Sequence, residues 1–273
     1  MKIKLIKKKN FFICDQSDNG NIFYGNKFIK NNYIKHLKKK NIISLGSKYS
    51  NHCLSLSYLS KSLNLKFVFL LVDKESKKPQ LNKYKNVKYA KKFGAKVIHI
   101  TGPNIFHKVD LQKKKYKNFR WIPSGGHTKA AIKEYSKSAY NFLKNNLSHI
   151  KKIKWILITV GSGTSLIGFL KAIIKLKLNI KIIGVTVSKS KKDVLNISRQ
   201  YVNKKYIKNL IIIDKYKNFY GKKISGDSKL IKKFKKENKM LIDPIYNVRA
   251  IRYFYSKKLT GGLFINTGGI SNL

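Results

Sequence analysis

Ile42-Ile43-Ser44-Leu45-Gly46-Ser47-Lys48-Tyr49-Ser50-Asn51-His52 decides the fold. An apolar run reads as a strand, Gly46-Ser47 as a tight turn, and the stretch beyond as a helix start with Cys53, Leu56, Leu59 and Leu63 on one face. Free backbone N–H groups at a helix N-terminus make such a junction a ready anion site. A serine, an asparagine and a histidine crowd it, and upstream Gly25-Asn26-Lys27 sets a lysine beside a glycine.

The same alternation continues outward. Lys66-Phe67-Val68-Phe69-Leu70-Leu71-Val72 is nearly all apolar, as a strand covered on both faces requires. Residues 82–93 read as a helix closed by Gly94, and Val97-Ile98-His99-Ile100 as the next strand. Residues 101–119 read as a polar, lysine-rich surface excursion. Arg120-Trp121-Ile122-Pro123 leads into Ser124-Gly125-Gly126-His127 and a helix bearing Ile132, Tyr135, Ala139, Phe142 and Leu143. Trp155 to Val160 is the strongest strand, running into Gly161-Ser162-Gly163-Thr164-Ser165 and another helix. Lys181–Val187 is a further buried strand, residues 188–210 carry no clear pattern, and helices at 228–237 and 247–257 precede a final strand at Leu263–Asn266. Before all of these, residues 1–24 read as short strands and turns, with Asp18-Asn19-Gly20 a turn signal. Repeated β-α alternation specifies an open α/β fold.

With 273 residues, 42% of them hydrophobic, the chain can bury a large core in one large or two small domains. Its formal charge of +50 comes from 61 Lys plus Arg against 11 Asp plus Glu. Only Arg120, Arg199, Arg249 and Arg252 are arginine, the planar fork suited to phosphates and base edges. Lysines are spread end to end, as compositional drift at exposed positions would leave them. This weighs against specific nucleic-acid binding and leaves salt-dependent sticking to polyanions. Cys14 and Cys53 have neither metal-site nor disulfide-scaffold spacing, and no metal site is expected. No apolar run reaches membrane-span length and the N-terminus lacks a signal-peptide core, so a cytoplasmic protein without membrane association is expected.

Gly161 to Ser165 is the best phosphate cradle: small residues let backbone approach an anion, and Ser162, Thr164 and Ser165 add hydroxyls. It is neither a P-loop nor G-x-G-x-x-G, so a small phosphate ester suits it better than a free nucleotide; the alternative is a tight turn without a ligand. A lysine, a phosphate cradle and a Ser-Asn turn in one α/β frame meet the needs of pyridoxal phosphate.

Gly25-Asn26-Lys27, Tyr49-Ser50-Asn51-His52, Ile122-Pro123-x-Gly125-Gly126, Val160-Gly161-Ser162-Gly163, Asp243-Pro244-Ile245-Tyr246 and Thr267-Gly268-Gly269 occur in the order seen in one family. From about residue 20 onward the chain resembles the 1-aminocyclopropane-1-carboxylate (ACC) deaminase/D-cysteine desulfhydrase family of fold-type-II pyridoxal-phosphate enzymes. The resemblance implies a tryptophan-synthase-β-like fold of two open α/β domains with pyridoxal 5'-phosphate in the cleft. The larger domain would comprise residues 1–36 and 123–273, the smaller 37–122; a homodimer is also implied.

By the same resemblance Lys27 carries the internal aldimine and moves the substrate α-proton. Asn51 bonds the cofactor's ring hydroxyl and stands near the substrate. Ser50 sits over the ring near the substrate carboxylate, and Tyr246 faces the substrate as a second acid/base group. Gly161, Ser162, Gly163, Thr164 and Ser165 hold the phosphate, and Thr267 faces the pyridine nitrogen. His52 reads equally as a carboxylate ligand or a packing histidine, and Tyr220 as a substrate-facing or packing aromatic. The chain departs from the family's pattern at Ser47, Lys48, Thr164 and Phe28-Ile29-Lys30-Asn31, and by being shorter. Asn247 stands where the deaminase branch has glutamate, which argues against ring opening. The leading expectation is D-cysteine desulfhydrase activity on a small amino acid. ACC deamination, a serine/threonine-type dehydratase, and an inactive, basic polyanion-binding relative are the alternatives.

Overall fold

The computed structural model describes residues 3–17, 25–37, 40–73 and 83–269; Asp18-Asn19-Gly20 lies outside them. Two sheets organise the chain. The larger has the order β1-β2-β10-β7-β8-β9, from strands Lys4–Lys7 (β1), Phe12–Asp15 (β2), Trp155–Val160 (β7), Lys181–Thr186 (β8), Leu210–Ile213 (β9) and Gly262–Asn266 (β10). All its pairings are parallel except β1 with β2. The smaller is wholly parallel, in the order β5-β4-β3-β6, from Ile42–Gly46 (β3), Phe67–Val72 (β4), Lys96–Ile100 (β5) and Arg120–Ile122 (β6).

Parallel strands need covered faces, and β7 shows how its sequence meets that need. Ile156, Ile158 and Val160 pack with Tyr135, Phe142 and Leu143 of helix Lys129–Asn145 (α5) and with Leu166, Phe169 and Ile173 of helix Thr164–Lys175 (α7). Trp155 and Leu157 enter the opposite core, with Phe234 of helix Asp227–Asn238 (α9) and Ile251 and Phe254 of helix Asn247–Ser256 (α10). Each fully buried aliphatic or aromatic side chain contributes roughly 1.5–3 kcal/mol. Gly168 lets α5 and α7 meet: a Cβ there would stand 2.5 Å from Tyr135 Cδ1.

In the smaller sheet, Ile42, Phe67, Phe69 and Leu71 pack under helix Asn51–Ser62 (α2) and helix Lys85–Lys92 (α3). The other face corrects the reading of 101–119 as a surface excursion, because Ile105–Lys115 is a helix (α4). Its Val109, with partly buried Ile105 and Tyr116 nearby, covers Ile43, Val68, Leu70 and Ile100. One fully buried side chain in eleven residues is too narrow a stripe to stand out among lysines. The patternless stretch from 188 holds helix Lys191–Arg199 (α8), a 3₁₀ turn at Lys204–Asn209 and edge strand β9. Asn26–Asn31 (α1) gives way to a 3₁₀ turn at Asn32–His36. Leu147–Ile150 adds a single helical turn (α6). Among the described residues no helix is long and apolar enough to cross a membrane.

Candidate active site

The carboxyl ends of parallel strands are where open α/β sheets take ligands. Here β3 ends at the Gly46–Ser50 turn, β7 at the Gly161–Gly163 loop, and β10 at Thr267. A cavity of about 320 Å³ lies among them, bordered by Lys27, Ser47, Ser50, His52, Gly161, Ser162, Tyr220 and Tyr246. A small recess beside it is bordered by Lys27, Lys30 and Ser162 to Ser165. The two spaces therefore bring together most of the residues singled out from sequence. Asn51 and Thr267 border neither.

Gly25 sets the position of α1. Its φ of 140° and its closeness to the C-terminal turn demand glycine, since a Cβ would stand 2.5 Å from the Thr267 carbonyl oxygen. Asn26 N–H donates to that carbonyl at 2.9 Å, and the Asn26 side chain donates to Ser165 Oγ at 3.1 Å. Lys27 follows at once. Its Nζ stands 5.8 Å from the centre of the Tyr246 ring, and burial draws its pKa below the usual lysine value.

Lys30, three residues on and on the same helix face, was not singled out from sequence. It is only 1% exposed. Its ammonium group donates to the Gly125 carbonyl and, at 3.2 Å, to Ser162 Oγ in the phosphate loop, and it lies within hydrogen-bonding reach of Lys27. Burial, with Lys27 beside it, pushes its pKa well below the usual lysine value. Among the described residues no carboxylate forms an ion pair with either amine. The only available signal was the i, i+3 spacing from Lys27, which more than a dozen lysine pairs in this chain share.

Ser50 caps α2, its Oγ accepting the Cys53 N–H at 3.2 Å, and its side chain borders the cavity. Asn51 donates to the Gly269 carbonyl at 3.3 Å and accepts from Asn86 at 2.9 Å. The His52 ring is 2% exposed, with both nitrogens engaged inside the protein. Ser44 Oγ gives its proton to the Ile122 carbonyl at 2.7 Å, so His52 Nε2 is the donor across the 3.0 Å contact to Ser44. Nδ1 then accepts from Asn31 Nδ2 at 3.1 Å. The neutral Nε2–H tautomer is thereby fixed, and burial followed by Lys30 and Lys27 keeps the ring's pKa well below 6.5. This geometry gives His52 a packing role beneath the cavity. Burial likewise pushes the Cys53 thiol up to about 12.

Tyr246 donates to Tyr220 across 3.1 Å, and Tyr220 meets Ser47 Oγ at 3.0 Å, so the departure at Ser47 supplies a partner to a tyrosine pair. Burial raises both phenols above their ordinary value, Tyr246 well above it, so they remain protonated at neutral pH. Asp243, buried at the turn before Tyr246, accepts the Ile245 N–H at 2.7 Å. Its pKa is pushed up to about 7, chiefly by burial. Thr164 Oγ1 contacts His127 Nδ1 at 3.1 Å and Ser162 Oγ at 3.2 Å. The departure at Lys48 is occupied by an ion pair to Asp73 at 3.4 Å.

Residues 9–211 match the family model described as pyridoxal-phosphate dependent enzyme. The chain belongs to this family. Its architecture is that of the fold-type-II members, and its cofactor is pyridoxal 5'-phosphate. No curated protein sequence matches the chain. Among solved structures it is similar to an ACC deaminase homologue, with TM-score 0.76, 21% identity, and coverage of 96% of this chain and 85% of that one. A hydrogen sulfide-producing enzyme from Fusobacterium nucleatum gives TM-score 0.68 and 16% identity, covering 99% of this chain and 96% of that one. Maize serine racemase gives TM-score 0.68 and 11% identity, covering 99% and 88% respectively. At these identities the likeness is one of fold.

The site suits the family's cofactor on its own evidence. α7 begins at Gly163 with no side-chain cap, beside the buried Lys30 and the cavity-lining Lys27, and among the described residues neither amine forms an ion pair with a carboxylate. Cationic side chains beside an uncapped helix N-terminus suit a phosphate group.

Proposed function

We propose that the protein is a pyridoxal-phosphate-dependent lyase or deaminase of a small amino acid, with D-cysteine the leading substrate. Water and D-cysteine would give pyruvate, hydrogen sulfide and ammonia. The observation that carries this reading is the meeting of Lys27 and Lys30 at the 161–165 loop, with the Tyr246 ring facing Lys27. When bound, the cofactor supplies an electron sink for carbanion chemistry at the substrate's α-carbon.

The chain's own groups divide the remaining work. Lys30, Ser162, Gly163, Thr164 and Ser165 would hold the phosphate. Lys27, its amine less basic through burial, would carry the cofactor and move the α-proton. The Ser50 hydroxyl would meet the substrate carboxylate. Tyr246, a phenol held protonated by burial and linked to Tyr220 and Ser47, would donate to the leaving group. Asn51 would approach the ring hydroxyl. Thr267, whose carbonyl anchors the first N–H of α1, would approach the ring nitrogen. Asn247, fully buried where the deaminase branch has a carboxylate, favours elimination over ring opening. We also propose a homodimer with the cofactor between the two sheets.

Absorbance spectra before and after borohydride, with Lys27→Ala alongside, test the reading. A yellow band bleached by borohydride and absent from the variant is expected, followed by sulfide release from D-cysteine. A protein that gains no band with added pyridoxal phosphate, yet binds polyanions in low salt, would instead support the inactive, basic relative.

A further inference from the structure

Thr267 ends a line of buried polar side chains whose hydrogen-bond directions are fixed from the far end. Asp15 Oδ1 accepts from Ser17 N–H at 3.0 Å, Ser17 Oγ at 2.8 Å and Asn266 Nδ2 at 2.9 Å. The same Asn266 Nδ2 faces the Leu241 carbonyl at 3.4 Å. Both neighbours only accept, so the Asn266 amide can point its nitrogen nowhere else. Its Oδ1 then accepts from Asn247 Nδ2 at 2.9 Å. Turning Asn247 over would set two amide oxygens against each other at that distance. Asn247 Oδ1 is thus committed to face Thr267 Oγ1, 2.9 Å away, and an amide oxygen cannot donate.

The Thr267 hydroxyl proton is therefore already used. The other hydroxyl near Asn247 Oδ1, that of Thr159, stands 3.5 Å away, so releasing Thr267 would leave a buried carbonyl almost unmatched. Asp15, Asn266, Asn247 and Thr267 are all buried, and water does not compete for these directions.

We infer that Thr267 serves as a hydrogen-bond acceptor in this enzyme, its direction set by Asp15 through Asn266 and Asn247, and that it requires a proton on the cofactor's ring nitrogen. The inference rests on the proposed place of Thr267 at that nitrogen. It changes the expected electronics of the site: an acceptor backed by a carboxylate favours the charged ring, whereas a free hydroxyl would donate to a neutral one. Asp15, Asn266 and Asn247 are on this account positioning residues that act through Thr267.

The test is ¹⁵N NMR of the holoenzyme reconstituted with pyridoxal phosphate labelled at the ring nitrogen. The wild-type signal is expected at the protonated-pyridinium position. Thr267→Ser, which keeps the acceptor and leaves the line behind it intact, retains it. Thr267→Val and Asn247→Leu move it toward the neutral-pyridine position. Should Asn247→Leu fail to fold, the contrast of Thr267→Val with Thr267→Ser decides alone. A neutral nitrogen in the wild type, or an unchanged signal in Thr267→Val, would overturn the inference while the borohydride-reducible band at Lys27 keeps the proposed function intact. Absence of that band would overturn both.

Discussion

Replacing Lys30 by methionine separates the binding role of this buried amine from any structural one. Methionine fills a similar volume with a flexible, uncharged chain. In the cofactor-free protein the change removes the bonds to Gly125 O and Ser162 Oγ. Neither acceptor is orphaned, since Ser162 Oγ donates to Gly125 O at 3.3 Å and also meets Thr164 Oγ1 at 3.2 Å. Each lost bond costs about 1 kcal/mol net, offset by no longer burying an amine against the pull of water. The cofactor-free melting temperature should move by less than about 4 °C, the shift expected of a change near 1 kcal/mol in a chain of this size. Binding should respond differently. A charge-assisted bond to a phosphate is worth about 1.5–3 kcal/mol, so affinity for pyridoxal phosphate should fall roughly 10- to 150-fold. Stripping the cofactor, titrating it back by absorbance, and melting both forms provides the two readouts. An affinity within about threefold of wild type would refute the role given to Lys30. So would a cofactor-free protein destabilised by several kcal/mol, which would show a structural lysine.

Other perturbations follow from the same geometry. Gly126→Ala places a Cβ 2.7 Å from Asn31 Oδ1 and 2.9 Å from His52 Cε1, at a φ of +67°. Left-handed strain of about 1–2 kcal/mol and disturbance of the buried Asn31–His52 bond at about 1–3 kcal/mol together predict a clear drop in the urea midpoint; an unchanged midpoint would show that the histidine cluster yields freely. Asp243, with a native pKa near 7 against an ordinary 3.8, keeps its proton in the folded state after the unfolded chain has lost it. Its contribution to stability therefore falls as pH rises from about 4 to 7, by up to about 1.4 kcal/mol per unit. His52, held neutral below 6.5, opposes it as protonation of the unfolded chain weakens stability on the acid side. Asp243→Asn should gain stability relative to wild type between pH 4.5 and 7.5 in cofactor-free urea titrations. A difference independent of pH would remove Asp243 from the titrating groups.

The central strands were legible because burial on two faces demands unbroken apolar runs, as in Trp155–Val160 and Phe67–Val72. The turns at Gly25, Gly46 and Gly161–Gly163 were legible because close backbone approach selects small residues, and their order along the chain led to the cofactor. α4 was hidden, since it buries one side chain among many lysines; β9 is a short apolar run, Leu210–Ile213, that follows a lysine-rich stretch without a pattern of its own. Lys30 was hidden for a related reason. Charge repeated along the whole chain carries no information about which amine is buried; that depends on Gly125 and Ser162, supplied by segments some 95 and 132 residues away. The sequence alone determined the covered strands, the glycine turns and Lys27, because these follow from local periodicity and backbone sterics. Tertiary structure decided the strand order, the buried second lysine, the tautomer of His52 and the direction of the Asp15–Thr267 line. Hydrogen-bond polarity and desolvation are properties of neighbours, and distant segments become neighbours only in the folded chain.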